Sequence, residues 1–380
     1  MKKIALYLII IIIFGIKNVN AQDTSKSSIV MDINTGRILY ENNIYEKRLI
    51  ASTTKIMTAI LVIENTSLKE KVKIGSEILP MYGTNIYVEV GEKMTIEDLL
   101  YGLILRSGND AAISLATYIA GTEEKFTEMM NLKARELGMN NTNFNNSHGL
   151  DDYTKNYSTS YDMALLSSYV AKNKVYSKIS KTQKYKTSTE NKSYLWYNRN
   201  KLLTSYKYCT GGKNGYTPDA GKTLVTTAKK NGLALTIVTL DDKNIYETQE
   251  FLYEKTFEKY KNYKIIDKDN FEIANKTFSE DIYIKESFIY PLTKNEINKI
   301  KTKIIKLEEN NIKDIVGYIE ITLDDKKIGK IEIYKKIQKK EENKFFLKTK
   351  NYLLAILKKL KLGLQNNLNP GPLVPIPLEI

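Results

Sequence analysis

A single cysteine, Cys209, leaves the chain no partner for an intrachain disulfide. A single histidine, His148, excludes a metal centre built from His and Cys and leaves a serine–histidine triad with no spare member. Nucleophilic chemistry must therefore draw on another base. Long apolar runs are also missing, except at the start: Ile4 to Ile16 is apolar, behind Lys2 and Lys3 and ahead of Lys17 and the small-residue site Val19-Asn20-Ala21. A charged n-region, a short apolar stretch and such a site are the parts of a secretory signal. The run is too short to span a bilayer comfortably, so export with cleavage near Ala21 is expected over residues 1–21. Proline is scarce: four of the seven residues lie in the terminal "NPGPLVPIPLEI", an extended or disordered tail by composition.

Charge is abundant but localised. The formal net charge is +14 over 380 residues. The leader carries +3 and residues 335–361 carry +8, which leaves +3 for everything else. A basic folded face, which nucleic-acid binding requires, is absent. The length allows two or three domains, and 42% hydrophobic residues can bury a large core.

The pattern along the chain runs strands, helices, strands. "SSIVMDINTGRILYEN" reads as a hairpin around Asn34-Thr35-Gly36, and "STTKIMTAILVIE" as a helix with Ser52 at its cap. "MTIEDLLYGLILRSGNDAAISLATYIAG" reads as two helices broken at Ser107-Gly108-Asn109, and "TEEKFTEMMNLKARELGM" as a third. "KTLVTTA" and "LALTIVTL" flank Lys230-Asn231-Gly232, a strong hairpin signal, and "NIYETQEFLYEKTFEKY" would close the domain as a helix. The order predicts an α+β domain over 22–260, with an antiparallel sheet fed from both ends and flanked by helices. Alternating segments such as "VGYIEITLDDKKIGKIEIYKK" predict a small all-β domain over 262–337, with Ile319, Ile321 and Leu323 on one strand face and Ile331 and Ile333 on another. In residues 338–380, Phe346, Leu353, Leu357, Leu360 and Leu364 share a helix face opposite Lys348, Lys358 and Lys359, while Leu362 breaks the pattern. A basic amphipathic helix of this kind suits an anionic membrane surface.

Three clusters could carry chemistry. Ser52 and Lys55 stand one helical turn apart. A serine needs a base, and a lysine serves only if burial or nearby cations lower its pKa. Alone the pair reads first as a cap with a solvated lysine. Ser107-Gly108-Asn109 is either a turn or a hydroxyl for proton relay beside an amide for substrate. Lys213-Asn214-Gly215 is either a turn or a cation ahead of a strand whose edge a peptide can join. Cys209, four residues earlier, reads as a buried bystander thiol, and His148 as a structural loop histidine.

S-x-x-K, S-x-N and K-x-G in this order are the set seen in penicillin-binding proteins and class A β-lactamases. With "ASTTKIMTA", "KARELGMNNTNFNNSHGLDD", "YSTSYDMALL" and "GGKNGYTPDAGKTLV" beside them, residues 26–260 closely resemble the low-molecular-weight penicillin-binding proteins, serine-type D-alanyl-D-alanine carboxypeptidases. The resemblance extends weakly over the β-domain and terminal helix. It implies a penicillin-binding/β-lactamase-like domain, no cofactor and no metal. Ser52 would attack the D-Ala-D-Ala peptide bond and Lys55 accept its proton. Ser107 and Asn109 would relay protons and hold substrate, Lys213 would tune both, and the N–H groups of Ser52 and Tyr216 would form the oxyanion hole. Asn214, Gly215, Tyr216 and Thr217 would line the substrate strand. The implied partners are peptidoglycan stem peptides ending in D-Ala-D-Ala, with β-lactams as inhibitors, at the extracytoplasmic face of the membrane.

Two positions depart from the family pattern. Asn214 stands where the family has a threonine that meets the substrate carboxylate, and Ile50 stands where a proline is common. A class A β-lactamase would need a deacylating glutamate, and no E-x-x-L-N pattern lies between the second and third clusters. The motifs do not separate carboxypeptidase from endopeptidase, and Asn214 also fits a non-catalytic peptidoglycan-binding protein.

Overall fold

The structure is a computed structural model that describes residues 22–190, 192–273, 278, 281–307, 314–336 and 352–358. The expected leader and proline-rich tail lie outside the described residues. So do Phe346, Leu360 and Leu364 of the terminal apolar face.

A five-stranded antiparallel sheet organises the first unit. Its order is Ile38–Asn42, Ser25–Asp32, Leu233–Asp242, Gly221–Lys230 and Cys209–Thr217. Ser25–Asp32 thus pairs with one arm of a hairpin from the far end of the domain, which closes the domain from both ends as expected. The hairpin turn at Asn231 and Gly232 has φ of 51° and 83°, the left-handed values that a two-residue Asn-Gly connection supplies cheaply. The strands are hydrophobic on both faces because both are covered. Ile29, Met31, Val225, Val238 and Leu240 join the larger core with helices Lys55–Asn65, Asn109–Ala120 and Ser160–Ala171. Val30, Leu224, Leu235 and Ile237 pack with Leu252, Tyr253 and Phe257 of helix Ile245–Lys259. Cys209–Thr217 is left as an open edge.

Three local readings change. Ser52 does not cap a helix: Ala51–Thr54 is a 3₁₀ turn, and the α-helix begins at Lys55 without a side-chain cap. The break at Ser107 is prepared by a π-turn over Gly102–Arg106, a local widening often found at functional sites. Lys213-Asn214-Gly215 lies inside a strand instead of preceding one.

A second unit comprises Ile266–Phe288 and the chain from Ile300 onward. Its four-stranded sheet runs Ile282–Tyr283, Lys326–Lys335, Ile315–Leu323, Ile300–Lys306, and Ile319 pairs with Ile331 so that both bury on one face. Ile289–Lys299 belongs instead with the first unit, where Arg37 pairs with Glu296 and donates to the Pro291 carbonyl. Residues 352–358 are helical, and Tyr352, Leu353, Leu354, Ile356 and Leu357 are all exposed.

Candidate active site

The segment that presents Ser52 is held under strain. Ala51 has φ of 47° although it carries a Cβ, a conformation that persists only where neighbours enforce it. The neighbours are identifiable. From the sheet, Thr223 Oγ1 donates to the Ile50 carbonyl (3.2 Å). From the opposite side, the 145–156 loop grips the turn and the helix behind it: Asn156 Nδ2 donates to Thr54 Oγ1 (3.0 Å), and Thr58 Oγ1 donates to the Ser147 carbonyl (2.6 Å). Gly149, at φ of 88°, passes so close that a Cβ there would lie 2.0 Å from the Ala51 carbonyl oxygen.

Lys55 is fully buried directly beneath Ser52. Its Nζ has three neighbours: Ser52 Oγ at 3.1 Å, Asn109 Oδ1 at 2.7 Å and the His148 carbonyl. Two of these can only accept. A neutral amine has two hydrogens and one lone pair. With both hydrogens committed to Asn109 and His148, the lone pair is left for the one neighbour that can donate, the Ser52 hydroxyl. The electrostatics agree. Burial pushes the Lys55 amine down to about 7, helped by Arg199 and opposed by Asp110. Lys213 is also fully buried, and burial, Lys55 and Arg199 together hold it well below the usual lysine range. Two buried amines and a guanidinium in one neighbourhood cannot all stay charged.

The second motif reaches Lys55 through Asn109, whose Nδ2 donates to the Tyr82 carbonyl (2.7 Å). Ser107 is buried at φ of 70° two residues earlier, and its hydroxyl is not among the three partners of Lys55. The third motif arrives on the edge strand. Gly215 lies so near the nucleophile turn that a Cβ would come within 2.7 Å of the Ser52 nitrogen. By register Lys213 pairs with Val225 and Gly215 with Thr223, toward the helices. Asn214 pairs with Leu224, whose face turns toward the closing helix, and Tyr216 is 64% exposed. Thr217 differs from expectation: its hydroxyl donates to Asp151 (2.5 Å) and accepts from the Ala220 N–H (3.0 Å), so it braces the strand end.

Several contributors carry no motif. Arg199 binds Thr84 Oγ1 (3.0 Å) and bears on both lysines. Asp110 accepts from the N–H groups of Ile86, Tyr87, Val88 and Ala111, which fixes the loop beside Asn109. His148 contributes its carbonyl rather than its ring. The ring is pushed down to about 3 by burial and by Lys55, and its Nδ1 accepts from the Leu150 N–H. Cys209 is buried with its thiol pushed up to about 11, which makes it a poor nucleophile at neutral pH.

A half-buried serine in contact with a buried lysine, beside an open strand edge, is what the described residues bring together. The family profile described as D-alanyl-D-alanine carboxypeptidase matches residues 16–244. The chain belongs to that family. It is 32% identical over 336 residues to the D-alanyl-D-alanine carboxypeptidase DacF of Bacillus subtilis, covering 84% of this chain and 86% of that protein. It is 36% identical over 233 residues to DacC of Escherichia coli, covering 58% and 57%. Among solved structures, DacD from Francisella tularensis superposes with a TM-score of 0.65 at 26% identity, covering 85% of this chain and 95% of that one. Penicillin binding protein 5 from Haemophilus influenzae gives 0.69 at 25% identity, covering 83% and 97%. The penicillin-binding fold is thereby shared.

Two outcomes follow from the geometry. Gly149→Ala must adopt a left-handed backbone and displace the Ala51 carbonyl, so it should cost upwards of about 1 kcal/mol in unfolding free energy and slow acylation of Ser52. The buried Lys55 binds its proton less tightly folded than unfolded, so the unfolded state holds more protons between pH 7 and 10.5. Stability should therefore rise with pH across that window, by up to about 1.4 kcal/mol per pH unit from this group. Denaturant titrations at pH 7 and pH 10 should show wild type gaining relative to Lys55→Met; parallel curves would contradict the neutral lysine.

Proposed function

We propose that the protein removes the terminal D-alanine from peptidoglycan stem peptides ending in D-Ala-D-Ala, through an acyl-enzyme on Ser52. Its family is that of serine-type D-alanyl-D-alanine carboxypeptidases, whose substrates are such peptides and whose nucleophile β-lactams acylate. The observation that carries the assignment of Ser52 is the set of three neighbours around Lys55, which leaves a lone pair for one hydroxyl only.

In the first half-reaction Lys55 takes the Ser52 proton as Oγ bonds to the carbonyl carbon of the penultimate D-Ala. The negative charge on the carbonyl oxygen is met by the N–H groups of Ser52 and Tyr216, which the close passage of Gly215 supports. The C–N bond then breaks, and the proton held by Lys55 passes to the departing D-Ala amine, with Ser107 as the relay. In the second, Lys55 takes a proton from water, hydroxide adds to the ester, and Ser52 recovers its proton as the shortened peptide leaves. Arg199 supplies positive potential for the terminal carboxylate. Asn214 shares the strand face of Leu224, so at the open edge it would meet substrate through its main chain. A β-lactam follows the first half alone, because its amine leaving group stays tethered and shields the ester from water.

Exposed apolar side chains over 352–358 support peripheral attachment at the extracytoplasmic membrane surface. No helix among the described residues is long and apolar enough to cross a membrane.

Labelled penicillin should acylate wild type but not Ser52→Ala, and the label should persist for minutes; rapid drug turnover would favour a β-lactamase instead. The acylation rate should rise with pH through about 7, since only neutral Lys55 can take the proton, and a flat profile from pH 5 to 9 would remove Lys55 as base. Lys55→Met should lose roughly 10²- to 10⁴-fold in acylation rate. D-Ala release by wild type and Asn214→Thr should agree within about tenfold; an inactive wild type restored by the substitution would identify a lapsed enzyme. A chain ending at residue 337 should no longer sediment with vesicles containing anionic phospholipid, whereas the full mature chain should.

A further inference from the structure

The cleft is electrically polarised along the edge strand. Arg199, which bears on both Lys55 and Lys213, makes its Asn214 end cationic, which suits the carboxylate of the last D-Ala. The rest of the stem must then extend the other way, past Tyr216 toward Thr217 and the turn that follows. That end is bordered by residues 151–155, and their charges can be accounted for one by one. Asp151 is buried and accepts from Thr217 Oγ1. Asp219 is paired with Lys155 at 3.1 Å. Asp152 is left: it is exposed, one oxygen accepts from the Tyr82 hydroxyl, and no cation is paired with it among the described residues.

The position of Asp152 is fixed relative to the base. Tyr82 holds Asp152 through its hydroxyl, and its own carbonyl accepts from Asn109 Nδ2, whose Oδ1 accepts from Lys55. On the other side, Thr217–Asp151 and Lys155–Asp219 tie the same loop to the end of the edge strand. The carboxylate is accompanied by aromatic surface: Tyr82 is 42% exposed and Tyr153 93% exposed. An uncompensated carboxylate beside open tyrosine rings is the combination that attracts an ammonium group, by charge and by the ring faces. Neither feature is needed to bind D-Ala-D-Ala itself.

We infer that Asp152, with Tyr82 and Tyr153, forms a specificity subsite for a side-chain ammonium on the residue that precedes the D-Ala-D-Ala pair. The inference rests on the carboxypeptidase reading and adds to it the identity of the third residue from the end. In an extended peptide that residue is adjacent to the acylating D-Ala, so a four-carbon amine arm suffices to reach beyond the strand edge. The subsite acts on binding, not on the bond-breaking step. Its effect therefore belongs in KM, and it weakens as salt screens the pair.

The test uses the mature protein and two tripeptides, Nα-acetyl-L-Lys-D-Ala-D-Ala and its Nα,Nε-diacetyl form, with D-Ala release followed for wild type, Asp152→Asn and Asp152→Glu. Wild type should favour the free amine by about fivefold to tenfold in kcat/KM, mostly through KM, with the preference shrinking between 0.05 and about 0.5 M salt. Asp152→Asn should bring the ratio close to one, and Asp152→Glu should restore most of it. Labelling with penicillin verifies that each variant is folded. Equal rates on both peptides in wild type, or an unchanged ratio in Asp152→Asn, would overturn the subsite alone. No release from either peptide would overturn the carboxypeptidase reading and the subsite together.

Discussion

Lys55 is an amine buried without a countercharge in bonding contact, and the rest of the site is arranged around that fact. A lysine in water would be protonated and useless as a base. Here burial removes the water, two carbonyl oxygens take its two hydrogens, and Arg199 penalises any added proton. Asp110 pulls the other way, but its carboxylate is spent on four backbone N–H groups. The penalty for a neutral buried lysine falls on the stability of the fold, and the large core between sheet and helices is what allows it.

That core also explains why the nucleophile turn can be strained. Ala51 keeps a left-handed conformation because Thr223 on the sheet and Gly149 in the loop press it from two sides. The loop is itself braced by Asn146 and Asn156, which exchange hydrogen bonds with each other, and Asn156 also donates to Thr54. Serine, base and strand edge are thus set by three separate stretches of chain that meet only in the folded state. The open edge then lets substrate complete the sheet.

Much of this was legible beforehand, for identifiable reasons. The sheet fed from both ends followed from alternating runs and an Asn-Gly turn, which are local signals. Ser52, Lys55, Asn109 and Lys213 follow from short motifs with fixed roles, and the structure gathers the first three within one hydrogen-bond network. What stayed hidden depends on tertiary contact. Nothing local announces that the His148 carbonyl, not its ring, meets Lys55, or that Arg199 in "YNRN" bears on both lysines. Ser52 reads as a cap because Ser before an apolar run usually is one; only the Gly149 contact shows why the first turn tightens to 3₁₀. Thr217 looks like substrate edge by position, yet its hydroxyl is taken by Asp151.

The central claim is that Lys55 is neutral at the pH where Ser52 must react. Its side-chain Cε and Nζ resonances, assigned by comparison with Lys55→Met, report that directly. Titration near pH 7 is the result the structure requires. A resonance that stays that of an ammonium until pH 10 would mean the amine is charged in the resting protein, and Ser52 would need a different base.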